Sequence, residues 1–138
     1  MTVRLERVSD APMSQRLTIR DHVWTVDAQP AEGGQDSGPD PHDLYDSALG
    51  ACKALTLLWY ARHKGWAVQD VQTAVERDAS GERSGTYRLS VRLQVSGDLS
   101  DAQWSELQRV VDKCPVHKLM TQVTTEISTA LERLPGEA

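Results

Sequence analysis

The chain has 138 residues, 39% of them hydrophobic and 25% charged, with a formal net charge of −5. That length and balance fit one folded domain, residues 1–138, and an acidic chain without a basic stripe is not expected to bind nucleic acid. No stretch is long and apolar enough to span a membrane, and MTVRLERVSD has no apolar run behind its charges, so a cytoplasmic protein without a signal peptide is expected.

Thr2 to Arg7 alternates, with Val3 and Leu5 on one face, and reads as a short strand. Gln15 to Val26 reads as a hairpin turning near Arg20 to His22. Residues 27–40, DAQPAEGGQDSGPD, are a loop by composition and read as a mobile flap; no Gly-Lys-Ser/Thr follows the Gly-Gly pair, so it is not a phosphate loop. Pro41 to Trp66 then reads as one long helix. Asp40 is its N-cap, Pro41 suits the first helical position, Gly65 supplies the stop, and Arg62, His63 and Lys64 complement the dipole at its end. Leu44, Ala48, Cys52, Leu55 and Trp59 form one apolar face. The opposite face is hardly more polar, with Asp46 and Lys53 the mid-helix charges, so the helix is expected to be buried nearly all round, with a second subunit supplying part of the cover.

Val68 to Arg77 alternates and reads as a strand, ASGERSG turns the chain, and Thr86 to Ser96 is a second strand with Tyr87, Leu89, Val91, Leu93 and Val95 on one face. This pattern fits an antiparallel sheet with helices on a single side. Ser100 caps a second helix with Gln103 completing a capping box, and Leu99 is placed to staple onto Trp104. Pro115 breaks that helix, Val116 to Met120 reads as a short helix starting at Cys114, and Gln122 to Leu131 alternates as a last strand.

Two cysteines, Cys52 and Cys114, carry the candidate chemistry; they form no CxxC, and a cytosolic protein would keep them reduced. Cys114 sits where a helix begins, which favours a thiolate. Cys52 is mid-helix among apolar neighbours, which by itself raises a thiol, so a nearby cation would be needed to activate it; Arg16, Arg20 and Arg62 are candidates. The bland reading is that buried free cysteines are inert and the arginines are solvated. His117 could orient or protonate the Cys114 thiol or simply use its position near a helix start, and His42 and His63 read as surface or capping residues. No ligand spacing supports a metal site, and no GxSxG, HExxH, GxGxxG or Walker pattern occurs.

The block SGPDPHDLYDSALGACKALTLLWYARHKGW, followed some sixty residues on by CPVHKLM, resembles the OsmC/Ohr family of osmotically induced and organic-hydroperoxide-resistance proteins, and is most similar to its OsmC-like branch. The resemblance implies an α+β fold with antiparallel sheets packed on a long central helix. It also implies an intertwined homodimer and thiol-dependent reduction of organic hydroperoxides. By position Cys52 matches the peroxidatic cysteine and Cys114 the resolving one. Arg16, or Arg20 after it, matches the arginine that faces the thiolate from the N-terminal sheet. In the Ohr branch a glutamate follows the loop proline and orients that arginine; here His42 and then Asp43 follow Pro41, and Asp43 is the carboxylate one place along. An external dithiol, for instance of the lipoyl type, would return the thiols, with no cofactor. The competing reading on the same fold is a non-enzymatic protein that binds a small hydrophobic ligand or senses redox state.

Overall fold

The structure, a computed structural model, describes residues 1–136. Its longest element is helix α1, Pro41–Lys64. The Asp40 carboxylate accepts from the Asp43 N–H at 2.8 Å while the Asp43 carboxylate accepts from the Asp40 N–H at 3.0 Å, a reciprocal cap with Pro41 in the first turn. Gly65 ends the helix at φ 71°, a left-handed conformation that suits glycine.

The face of α1 that turns inward is Asp46, Leu49, Gly50, Lys53, Leu57 and Ala61. Of the apolar face read from the sequence, Leu44 and Cys52 are half-buried in the single chain, and Ala48, Leu55 and Trp59 point outward, with Leu55 and Trp59 65% and 64% exposed. Both faces carry similar apolar content, so periodicity could not choose between them. The choice is made by partners elsewhere in the chain that take up the charges of Asp46 and Lys53. Gly50 lets the helix lie close on the sheet below, since a Cβ there would come 2.6 Å from Val75 Cγ2.

Strands β1 (Val3–Arg7), β2 (Gln15–Ile19) and β3 (His22–Val26) form one antiparallel sheet in that order, with Leu17 opposite both Leu5 and Trp24. Arg20, at φ 53°, makes the tight turn between β2 and β3. Leu17 and Val26 are buried, but the outer faces of β1 and β3 are open. The following loop is laced by Asp27, whose buried carboxylate accepts from the N–H groups of Ala28 (2.8 Å), Gln35 (3.2 Å) and Ser37 (3.0 Å) and from the Ser37 hydroxyl (2.7 Å). The segment read as a flap is therefore a hydrogen-bonded loop.

The second sheet is the hairpin β4 (Ala67–Asp78) and β5 (Arg88–Asp98), with one register shift between Val68 and Asp70. Leu89, Val91, Leu93 and Val95 alternate with exposed residues, and the hairpin packs beneath α1. Helix α2 (Asp101–Val110) starts from the expected Ser100–Gln103 capping box and buries Leu107 and Val110. A short 3-10 turn, Val111–Lys113, leads to helix α3 (Pro115–Thr121). The expected last strand differs: Gln122 to Leu131 is exposed, and among the described residues no strand pairs with it. Its alternation supplies a strand's pattern, but among the described residues no neighbouring strand pairs with it.

Candidate active site

The fold brings the two cysteines together. Cys114 is extended (φ −67°, ψ 131°), as the residue before Pro115 must be, and acts as the N-cap of α3: its Sγ accepts from the His117 N–H at 3.4 Å. It is 1% exposed. Cys52 approaches from α1, and the groups that bear on its sulfur are the Val116 N–H, the Cys114 thiol and the Thr56 hydroxyl.

These contacts set different protonation states. Burial, the largest influence, pushes the Cys52 thiol up. The Val116 N–H, the Cys114 thiol, the Thr56 hydroxyl and the Lys53 charge together outweigh it, and the net direction is down. Burial, again the largest influence, pushes Cys114 up; the His117 and Val116 N–H groups oppose it, Cys52 adds to it, and the net direction is up. The two thiols are thus pushed in opposite directions, Cys52 down and Cys114 up. The sequence reading favoured Cys114 as the thiolate from its helix position. That effect is overridden because Cys114 is almost wholly buried and a neighbouring N–H of the α3 terminus is aimed at Cys52.

The cation that acts on Cys52 is Lys53. It is 5% exposed, and its Nζ meets Val111 O at 2.9 Å, Asp112 Oδ1 at 3.3 Å and His117 Nδ1 at 3.0 Å. His117 therefore touches Cys114 through its backbone and Lys53 through its ring. None of the three candidate arginines hydrogen-bonds Cys52 among the described residues. Arg16 is exposed on β2, opposite Glu6 and Thr25; Arg20 Nη1 lies 3.7 Å from Met1 Sδ; Arg62 is exposed in the last turn of α1.

Asp43 is engaged by a different arginine. Arg77 of β4 donates from Nη2 to Asp43 Oδ1 and from Nε to Asp46 Oδ2 at 2.5 Å, while the Tyr87 hydroxyl donates to Asp46 Oδ1 at 2.6 Å. A cleft of about 590 Å³ opens beside this cluster, lined among others by Ser47, Thr73 and Val75. Arg77 was read only as the polar end of a strand. The signal that points to it is the pair Asp43 and Asp46, three residues apart on one helix face and in need of a cation. His42 Nε2 lies 2.6 Å from Glu82 Oε1, whose hydrogen bond and charge raise the imidazole above its ordinary range, and His63 stacks on Trp59 at 4.8 Å. A cleft of about 650 Å³ is lined by Cys114, Pro115, His117 and Lys118 among others, and one of about 400 Å³ by Tyr45, Leu49, Leu89, His117 and Met120 among others. Among the described residues no group of three His, Cys, Asp or Glu side chains is placed to hold a metal ion, and no helix is long and apolar enough to cross a membrane.

Comparison with known proteins identifies a family and a shared fold. A family model described as OsmC-like protein matches residues 34–129. No curated protein matches the chain closely in sequence. Among solved structures, a Psychrobacter arcticus 273-4 protein described as an osmotic stress induced and detoxification response protein is similar at 17% identity, over 88% of this chain and 89% of that one, with a TM-score of 0.72. An OsmC like protein from Mycoplasma pneumoniae is similar at 21% identity, over 88% and 87%, with a TM-score of 0.68. The organic hydroperoxide resistance protein OhrB of Bacillus subtilis is similar at 21% identity, over 88% and 92%, with a TM-score of 0.55. At these identities the likeness is one of fold.

Proposed function

This chain belongs to the OsmC-like protein family, and we propose that it reduces organic hydroperoxides, with Cys52 as the attacking thiolate and Cys114 as the resolving thiol. The observation that supports this reading is the thiol pair itself: a half-buried Cys52 on α1 and a buried Cys114 at the start of α3, free of any disulfide and each bearing on the other's acidity. The Cys52 thiolate attacks one peroxide oxygen, an S–O bond forms as the O–O bond breaks, and the alkoxide leaves as an alcohol after taking a proton. Cys114 sulfur then attacks the Cys52 sulfenic acid, an S–S bond forms and water leaves. An external dithiol reduces that disulfide and is itself oxidised. Leu55, Trp59 and Met120 favour an alkyl or lipid-like hydroperoxide over hydrogen peroxide.

The working form in this proposal is a homodimer. Three features support it: the exposed Leu55 and Trp59 beside Cys52 on α1, the open faces of the three-stranded sheet, and the unpaired alternating segment with Ile127 84% and Leu131 100% exposed. In such a dimer Arg16 of the partner subunit would reach Cys52 as the family's arginine. Asp43 would serve by fixing Arg77 against the first turns of α1. Intact mass after one equivalent of cumene hydroperoxide tests the chemistry. A loss of two hydrogens per chain, restored by dithiol, is expected; an unchanged mass would remove the peroxidase reading. A redox sensor on the same thiols is favoured by His42, which is committed to Glu82 where the Ohr branch has its glutamate. It would show the same mass loss without repeated turnover when dithiol is supplied in excess.

A further inference from the structure

An ammonium group is seldom buried, because it must leave water, and it is tolerated where every N–H finds an acceptor. Lys53 meets that condition in one particular way. Its acceptors, Val111 O, Asp112 Oδ1 and His117 Nδ1, all lie on the connection that carries Cys114. For His117 Nδ1 to accept, the ring must be neutral with its proton on Nε2. The other charged groups packed around α1 are committed elsewhere: Arg77 of β4 to Asp43 and Asp46, and Glu106 of α2 to the Tyr60 hydroxyl. Lys113 and Lys118 are exposed. The residue next to Cys52 in sequence therefore grips the turn that carries Cys114 and Val116, both of which bear on the Cys52 sulfur.

We propose that Lys53 is the positioning residue of the thiol pair: its ammonium pins the Cys114 turn against α1 and holds Cys114 beside Cys52. The proposal deepens, and for its catalytic meaning rests on, the peroxidase reading. It makes two separable contributions. The positive charge beside Cys52 favours the thiolate, and the grip keeps Cys114 within bonding range of Cys52.

Two variants and two readouts separate these contributions from a merely structural role. Lys53→Met removes charge and grip; His117→Leu weakens the grip from the opposite side and leaves the charge. The first readout is the pH profile of Cys52 alkylation by iodoacetamide in the reduced protein. The second is the rate at which diamide closes the Cys52–Cys114 disulfide, read by intact mass. Neither needs peroxide. Lys53→Met is expected to move the alkylation midpoint to higher pH and to slow closure about fivefold or more. His117→Leu is expected to slow closure while leaving the midpoint in place. If Lys53→Met does not fold, closure in His117→Leu decides the matter alone. A folded Lys53→Met with wild-type midpoint and wild-type closure would overturn the proposal, as would wild-type closure in His117→Leu. A wild-type protein inert to cumene hydroperoxide would instead remove the peroxidase reading and leave these results standing.

Discussion

The Tyr87 hydroxyl donates to Asp46 Oδ1 at 2.6 Å, joining the chain just before β5 to the buried face of α1. With Arg77 on the other oxygen, Asp46 ties the helix to both strands beneath it. Burial first, and then the hydrogen bond to Asp46, pushes the phenol up to about 12. The folded value lies above the unfolded value near 10, so the contribution to stability is full below pH ~10 and is lost as pH rises through ~12. Tyr87→Phe is expected to cost roughly 1.5–3 kcal/mol, the worth of a hydrogen bond to a charged group. It should also remove the last phenol to ionise in an absorbance titration near 295 nm. A Tyr87→Phe protein whose late-titrating phenol persists would show that the bond does not form in solution.

Asp27 carries a pH dependence of the opposite sign. Hydrogen bonds from the Ser37 side chain and then the Ser37 backbone, with those from Ala28 and Gln35, outweigh burial and hold its carboxyl down at about 2. The folded value is below the unfolded one near 3.9, so this stabilisation is present above pH ~4 and is lost as pH falls through ~2. Asp27→Asn should lower the melting temperature at pH 7 and flatten its acid dependence between pH 4 and 2. Parallel melting curves for the two proteins across that window would show that the carboxylate does not organise the 27–40 loop.

The ends of α1 were legible because capping is local chemistry: Asp40, Pro41, Asp43 and Gly65 make their contacts within a few residues. The hairpin turn at Arg20 and the Ser100 cap were legible for the same reason. The inward face of α1 was not. Asp46 and Lys53 look like solvent-facing charges until Arg77, Tyr87 and His117 are brought to them from 31 to 64 residues away. The relative acidity of the two thiols was hidden for a related reason. A helix start raises the acidity of whichever sulfur its N–H groups reach, and only the tertiary fold shows that the Val116 N–H reaches Cys52. The family resemblance supplied the Cys52 assignment by position, where local physics alone pointed to Cys114.

The two thiols should separate in reactivity. Cys52 is lowered and half-buried; Cys114 is raised and 1% exposed. At pH 7 iodoacetamide should modify Cys52 faster than Cys114, since the thiolate is the nucleophile and Cys114 is also shielded. After peroxide treatment, Cys114→Ser should hold a sulfenic acid at Cys52 that dimedone labels. Dimedone found at Cys114 in a Cys52→Ser protein, and never at Cys52 in the other variant, would mean the roles are reversed.

The last prediction joins assembly to activation. Leu55 and Trp59 flank Cys52 on the outer face of α1, and in the proposed dimer they are covered by a second copy from which Arg16 reaches the thiolate. Wild-type protein at micromolar concentration should give the mass of a dimer by light scattering. Leu55→Asp, which would bury an unpaired carboxylate in that contact, should give a folded monomer. Arg16→Ala in the dimer should slow Cys52 oxidation by alkyl hydroperoxide at neutral pH, and raising the pH should recover part of the rate, because an apolar site disfavours an uncompensated thiolate. The two effects should not add. In the Leu55→Asp monomer the arginine is already absent from the site, so removing Arg16 there should change nothing further, a coupling that a double-mutant cycle reads directly. Additive losses would mean that Arg16 acts within its own chain or on overall stability. A wild-type rate for Arg16→Ala in an intact dimer would leave Lys53 as the cation that activates Cys52.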